Sequence, residues 1–146
     1  MSDDEGFVLD RRHPASRRRA ILDVNGRCAW LYLTLPDNMR IDREAFVFSP
    51  GLLVTLDEAF GAAKASQPPP LAADYASACA VIVDARREHF AFRWSDDGQS
   101  VAVLYQGDPI AMIIADTDHG FSRALGRSGF YGYPWNSDVY VDTFGP

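Results

Sequence analysis

The stretch FAFRWSDDGQSVAVLYQGDPIAMIIAD, Phe90 to Asp116, most narrows the folds open to this chain. Two turn signals, Asp97-Gly98 and Gly107-Asp108-Pro109, cut it into three apolar runs of strand length. Connections that short join antiparallel neighbours, so the segment reads as a three-stranded meander. Along its middle run Val101, Val103 and Tyr105 share one side, and Ala102 and Leu104 share the other. Pro109 is tolerated as the first residue of the last run. That run, IAMIIA, has no polar side and is expected to be buried on both faces.

A second signal lies upstream in AILDVNGRCAWLYLTLP. Asn25-Gly26 suits a type I′ turn, which predicts a hairpin. In its second arm Trp30, Tyr32 and Thr34 fall on one face and Leu31, Leu33 and Leu35 on the other, so this strand is expected to be central. AFVFS, stopped by Pro50-Gly51, is a further strand. We expect the hairpin and the meander in one antiparallel sheet of about five strands.

Helical signals are short. TLDEAFGAAKAS offers Thr55 as N-cap, Asp57 and Glu58 in the first turn and Lys64 near the end; Gly61 costs it about 1 kcal/mol. DHGFSRALGRSG places Phe121, Ala124 and Leu125 at helical spacing. NSDVYVDTF fits a helix capped by Asn136 or Ser137, or a strand through Val139, Tyr140 and Val141. Between them QPPPLAADYAS is an extended polyproline spacer. With 146 residues, the chain reads as a flexible N-terminal arm, 1–19, followed by one α+β domain, 20–146, with two or three short helices.

Composition excludes several functions. No apolar run nears the roughly 20 residues of a membrane span, and the charged N-terminus has no apolar h-region, so no secretory signal is expected. Cys28 and Cys79 lie far apart in apolar contexts and read as two buried free thiols of a reducing compartment. His13, His89 and His119 form no close ligand pair with them, so no metal and no cofactor is expected. No P-loop, GxGxxG, GxSxG or HExxH occurs, and the chain is not expected to be an enzyme. In DTDHG, Asp116 and Asp118 flank a strand exit, but no further oxygen ligands follow in register, so a polar turn is expected. Asp96-Asp97 reads as turn chemistry.

The net charge is −6, and residues 96–146 carry seven aspartates against only Arg123 and Arg127. A phosphate backbone is repelled by such a region and a basic protein attracted, so nucleic acid is not an expected partner. The same region ends in GFYGYPWNSDVYVDTF, with six aromatic rings in sixteen residues. Phe130 and Phe144 are expected in the core. Gly129, Gly132 and Pro134 break regular structure, which predicts a loop displaying Tyr131, Tyr133 and Trp135. Rings of this kind beside Asp138 and Asp142 suit a protein interface. They also suit a platform for a carbohydrate or another small ligand, the alternative reading.

AWLYLTLPD, FRWSDDGQSVAVLYQGDPIAMIIA and GFSRALGRSGFYGYPWNSDVYVDTFG resemble segments of small acidic bacterial immunity proteins, encoded beside toxins of type VI secretion and related polymorphic toxin systems. The resemblance spans residues 24–36 and 90–145 and lies in a strand pattern punctuated by aromatic residues, Gly and Asp. It implies a cytoplasmic inhibitor that binds its cognate toxin and occludes the active site, with no catalytic residue to transfer. The expected partner is a toxin basic at its active-site cleft. The expected contacts are Tyr131, Tyr133, Trp135, Asp138 and Asp142, with Asp116 and Asp118 as outer steering charges.

Overall fold

Four antiparallel strands follow one another across a first sheet: β1 (Phe7–Arg12), β2 (Arg19–Val24), β3 (Ala29–Thr34) and β4 (Ile41–Phe48). The computed structural model describes residues 6–146. β3 is central, as its two apolar faces require: Leu31 and Leu33 face one core and Trp30 another. The predicted hairpin forms, but by different turn chemistry. The Asn25 carboxamide accepts from the amides of Arg27 (2.7 Å) and Cys28 (2.9 Å), and neither Asn25 nor Gly26 takes a positive φ. A four-residue Asx turn therefore replaces the expected type I′ turn. On β4 a register shift opposite Ala29 and Trp30 turns both Val47 and Phe48 inward. Phe48 thereby stacks on Phe90, with centroids 5.6 Å apart.

The second sheet has the order β5 (Phe90–Trp94), β6 (Val101–Tyr105), β7 (Asp108–Ile113), β8 (Phe121–Ser122) and β9 (Tyr133–Pro134). The meander is as predicted, with its second turn centred on Gln106-Gly107. The protein is an α+β domain, but hairpin and meander lie in two sheets packed face to face, not in one. Val101, Val103, Ala111 and Ile113 of the second sheet meet Leu22, Leu31, Leu33 and Val47 of the first. The apolar second faces of both sheets explain why one sheet does not suffice: each outer face also needs a cover.

Those covers make four layers. Outside the first sheet, Trp30 and Phe46 pack under α1 (Leu56–Lys64) and the segments carrying Leu71, Ala72, Leu125 and Tyr131. Thr55 and Glu58 close a capping box on α1. Outside the second sheet, Ala102, Met112 and Ile114 pack under α2 (Ser137–Phe144).

Two further expectations are overturned. Residues 121–129 form no helix; the chain makes β8 and then turns, and Ala124 and Leu125 cross to the outside of the first sheet. Gly120 is the cause: a Cβ there would lie 2.3 Å from that of Ala45. That close approach lets β8 lie against β4, where the buried Ser122 hydroxyl donates to Val47 O at 3.3 Å. The arm is likewise ordered from Phe7 onward, as edge strand β1. Leu9 is buried and Phe7 meets Phe90 at 5.7 Å, while Asp10 pairs with Arg19 at 2.6 Å on the outer face. Met1–Glu5 of that arm lie outside the described residues.

At the opposite side of the sandwich, edge strands β1 and β5 are not bridged by a further strand among the described residues. A groove of about 390 Å³ runs there, lined by Leu9, Phe90, Phe92 and Trp94, with Arg11 and Arg12 beside it.

Candidate partner-binding face

α2 exists because its N-terminus is capped and one side is apolar. The Asn136 side chain accepts from the Val139 amide at 3.1 Å, and Gly145, at φ 96°, ends the helix. This resolves the ambiguity of NSDVYVDTF in favour of a helix. Val139, Tyr140 and Phe144 pack on the second sheet together with Trp135. Arg93 of β5 clamps the C-terminal end, donating to the Tyr140 hydroxyl at 2.9 Å and to Phe144 O. A cation there also meets the negative end of the helix dipole.

The outward side of α2 is acidic. Asp138 and Asp142 are both exposed, one helical turn apart. Neither forms an ion pair among the described residues. Like charges at that spacing cost an isolated helix about 0.2–0.5 kcal/mol, and Asp142 in the last turn opposes the dipole. Asp138 in the first turn and Arg93 at the C-terminal end offset part of that penalty, but no cation pairs with either aspartate among the described residues.

Trp135 and Tyr133 lie at the head of this face, both half-buried. The Trp135 indole donates to Ser137 Oγ at 3.2 Å and meets the Tyr140 ring at 5.5 Å. The Arg123 guanidinium lies over it at 4.5 Å. Tyr133 packs on Phe121 at 5.2 Å and donates its hydroxyl to Asp118 at 2.6 Å. That bond holds the Asp118 carboxyl below its usual range and pushes the Tyr133 hydroxyl up.

Asp116, at φ 69°, is exposed beyond the end of β7. It shares a surface hollow with Asp97, Arg18 and Arg43, and Asp97 shares another with Thr143 of α2. Asp116 and Asp118 diverge, one toward those arginines and the other to Tyr133, so DTDHG holds no converging ligand set. Among the described residues no three His, Cys, Asp or Glu side chains gather as metal ligands would.

Tyr131 does not belong to this face. It is only 3% exposed and lies in the core outside the first sheet, against Trp30, Phe46 and Tyr75. Its hydroxyl donates to Pro70 O at 2.6 Å and accepts from the Ala72 amide at 2.8 Å. Gly132 explains the reversal: it stands at φ 128°, where a Cβ would fall 2.6 Å from Gly120 O, and the chain swings Tyr131 inward before joining β9. Phe130, expected in the core, is instead 40% exposed, and Phe144, at the end of α2, is half-buried against the second sheet. Cys79 is exposed rather than buried, because its loop lies outside both sheets; Cys28 is buried, and burial pushes its thiol up to about 11. Sequence reasoning missed Arg93 and Arg123, whose roles depend on strands distant in sequence.

No family model, curated protein or solved structure matches this chain. No helix among the described residues is long and apolar enough to cross a membrane.

Proposed function

We propose that this protein is an immunity protein: it binds a cognate bacterial toxin, basic around its active site, and neutralises it by covering that site. The toxin belongs to a type VI secretion or related polymorphic toxin system, and the encounter takes place in the cytoplasm of the producing cell. The observation that carries this reading is α2 with its approaches. Two unpaired aspartates, 138 and 142, stand on one exposed helix side beside the half-buried rings of Trp135 and Tyr133. Asp118 and Asp97 extend the negative surface around them, whereas Asp116 shares its hollow with Arg18 and Arg43 and adds no net charge there. Such a surface steers a cationic partner and anchors it on a few desolvated rings.

The carbohydrate reading has less support. Arg123 covers one face of Trp135, and the Tyr133 hydroxyl is already engaged by Asp118. A pyranose needs both a bare ring face and free polar groups.

The test is co-expression. A toxin encoded by the neighbouring gene should arrest a susceptible host, and this chain should restore growth. Asp138→Asn/Asp142→Asn should weaken the isolated complex by about tenfold or more at low salt, and less at high salt. Failure of the wild-type chain to protect, or a complex indifferent to both charges and salt, defeats the reading.

A further inference from the structure

A second anionic surface lies on the other outer face of the sandwich. Tyr32 on β3 stands opposite Glu44 on β4 and Ile21 on β2, with Asp23 one step diagonal. Neither Asp23 nor Glu44 forms an ion pair among the described residues. Burial, then the charges of Glu44 and Asp23, push the Tyr32 hydroxyl strongly upward. Burial also raises Glu44, partly offset by His119.

Beside these groups opens a cleft of about 350 Å³, walled by Trp30, Tyr32, Glu44, Pro68, Pro69 and Phe130. Its polyproline wall is held at three successive carbonyls. The Cys28 thiol donates to Pro68 O (3.7 Å), the Trp30 indole to Pro69 O (3.2 Å) and the Tyr131 hydroxyl to Pro70 O (2.6 Å). The opposite lip is the Phe130 ring, 40% exposed and edge-on to Phe60 at 5.2 Å. The cleft is therefore rigid, aromatic and open to solvent at Phe130, with a carboxylate at its side.

We propose that this cleft receives an arginine side chain of the protein partner. A planar guanidinium stacks on aromatic faces and pairs with a carboxylate through two parallel N–H bonds, whereas an ammonium does neither as well. Preformed walls spare the ordering entropy that flexible sites lose on binding. The inference rests on the cationic-partner reading for the source of the arginine, and adds a contact on the face opposite α2.

The probe is blocked arginine, N-acetyl-arginine-methylamide, titrated into the intact protein and followed by amide and indole NMR shifts. Saturable shifts are expected at Trp30, Tyr32, Glu44 and Phe130, with millimolar affinity. Blocked lysine should bind several-fold more weakly. Glu44→Gln should cost about tenfold while leaving the rest of the spectrum in place, and Asp138→Asn should have no effect on this titration. Absence of saturation, or equal binding by Glu44→Gln, overturns the site. If arginine binds but Glu44→Gln still forms the toxin complex with unchanged affinity, the assignment of the partner's arginine is overturned. A wild-type chain that binds arginine yet fails to protect against the toxin instead defeats the immunity reading and leaves the cation site standing.

Discussion

The two outer layers of the sandwich bury their sheets by different means. Outside the first sheet, a segment containing three prolines has few amide hydrogens to bond with, and buried Cys28, Trp30 and Tyr131 side chains hold its carbonyls. Outside the second sheet, one eight-residue helix rests on ring contacts and a single arginine clamp. A helix that short is marginal alone, and its outer side is left acidic. One layer is fixed by polar bonds to its carbonyls, the innermost of them buried. The other is held by packing and presents unpaired charge. The contrast teaches that aromatic residues four positions apart, Tyr131 and Trp135, can serve unrelated ends.

The sharpest way to break this contrast is at Tyr131. Tyr131→Ala should cost about 3–5 kcal/mol of stability, read by urea unfolding. Tyr131→Phe should cost about 1–3 kcal/mol, because Pro70 O loses its donor and the Ala72 amide its acceptor. Trp135→Ala should destabilise by less than Tyr131→Ala while weakening the proposed toxin complex. The contrast fails if the two alanine variants lose equal stability.

The buried thiol sharpens it next. Its folded-state pKa stands near 11 against an ordinary 9.0, so the neutral form is favoured in the fold. The resulting stability is fully present below pH 9.0 and is lost as pH rises through 11. The wild type should therefore lose up to about 2–3 kcal/mol more than Cys28→Ala between pH 8 and pH 11. In the native protein a thiol reagent should label one equivalent quickly, at Cys79, and Cys28 only on unfolding.

On the other layer, Asn136→Ala should cost about 1 kcal/mol through loss of the cap, leaving the rest of the amide spectrum in place. The smallest effect is electrostatic. Tyr133→Phe should return the Asp118 carboxyl toward its ordinary titration range, as read by carboxyl-carbon NMR. An unchanged titration would mean that Asp118 owes its shift to something other than that hydroxyl.

Much of this architecture is legible in the chain. The meander announces itself by alternation and turn residues, β3 by its two apolar faces, and α1 by Thr55 and Glu58 three residues apart. What escapes are features decided by contacts distant in sequence. β1 hides because Asp10, Arg11 and Arg12 are charged, apolar Val8 points outward, and only Phe7 and Leu9 face inward. Periodicity shows which faces are apolar but not what covers them, so it does not separate one sheet from two. Phe121, Ala124 and Leu125 mimic a helix, while the approach of Gly120 to Ala45 decides otherwise. At the candidate face, Gly132 and Pro134 suggest a loop with its rings displayed, but Tyr133 and Pro134 form β9 and both Tyr133 and Trp135 are half-buried. Neither this nor the burial of Tyr131 is legible, because a glycine permits a reversal without fixing its direction.

The unbridged seam between β1 and β5 has a consequence for handling this protein. Two edges that no strand covers among the described residues flank an apolar trough, with only Arg87 donating to Val8 O on β1, and such edges are the geometry by which chains add to one another and form aggregates. Arg11, two residues beyond inward-facing Leu9, lines the trough with a charge that an incoming strand would have to desolvate. Solubility at high concentration accordingly hinges on the two guanidinia at the rim, Arg11 and Arg12, and replacing both with isoleucine would turn a guarded margin into an adhesive one.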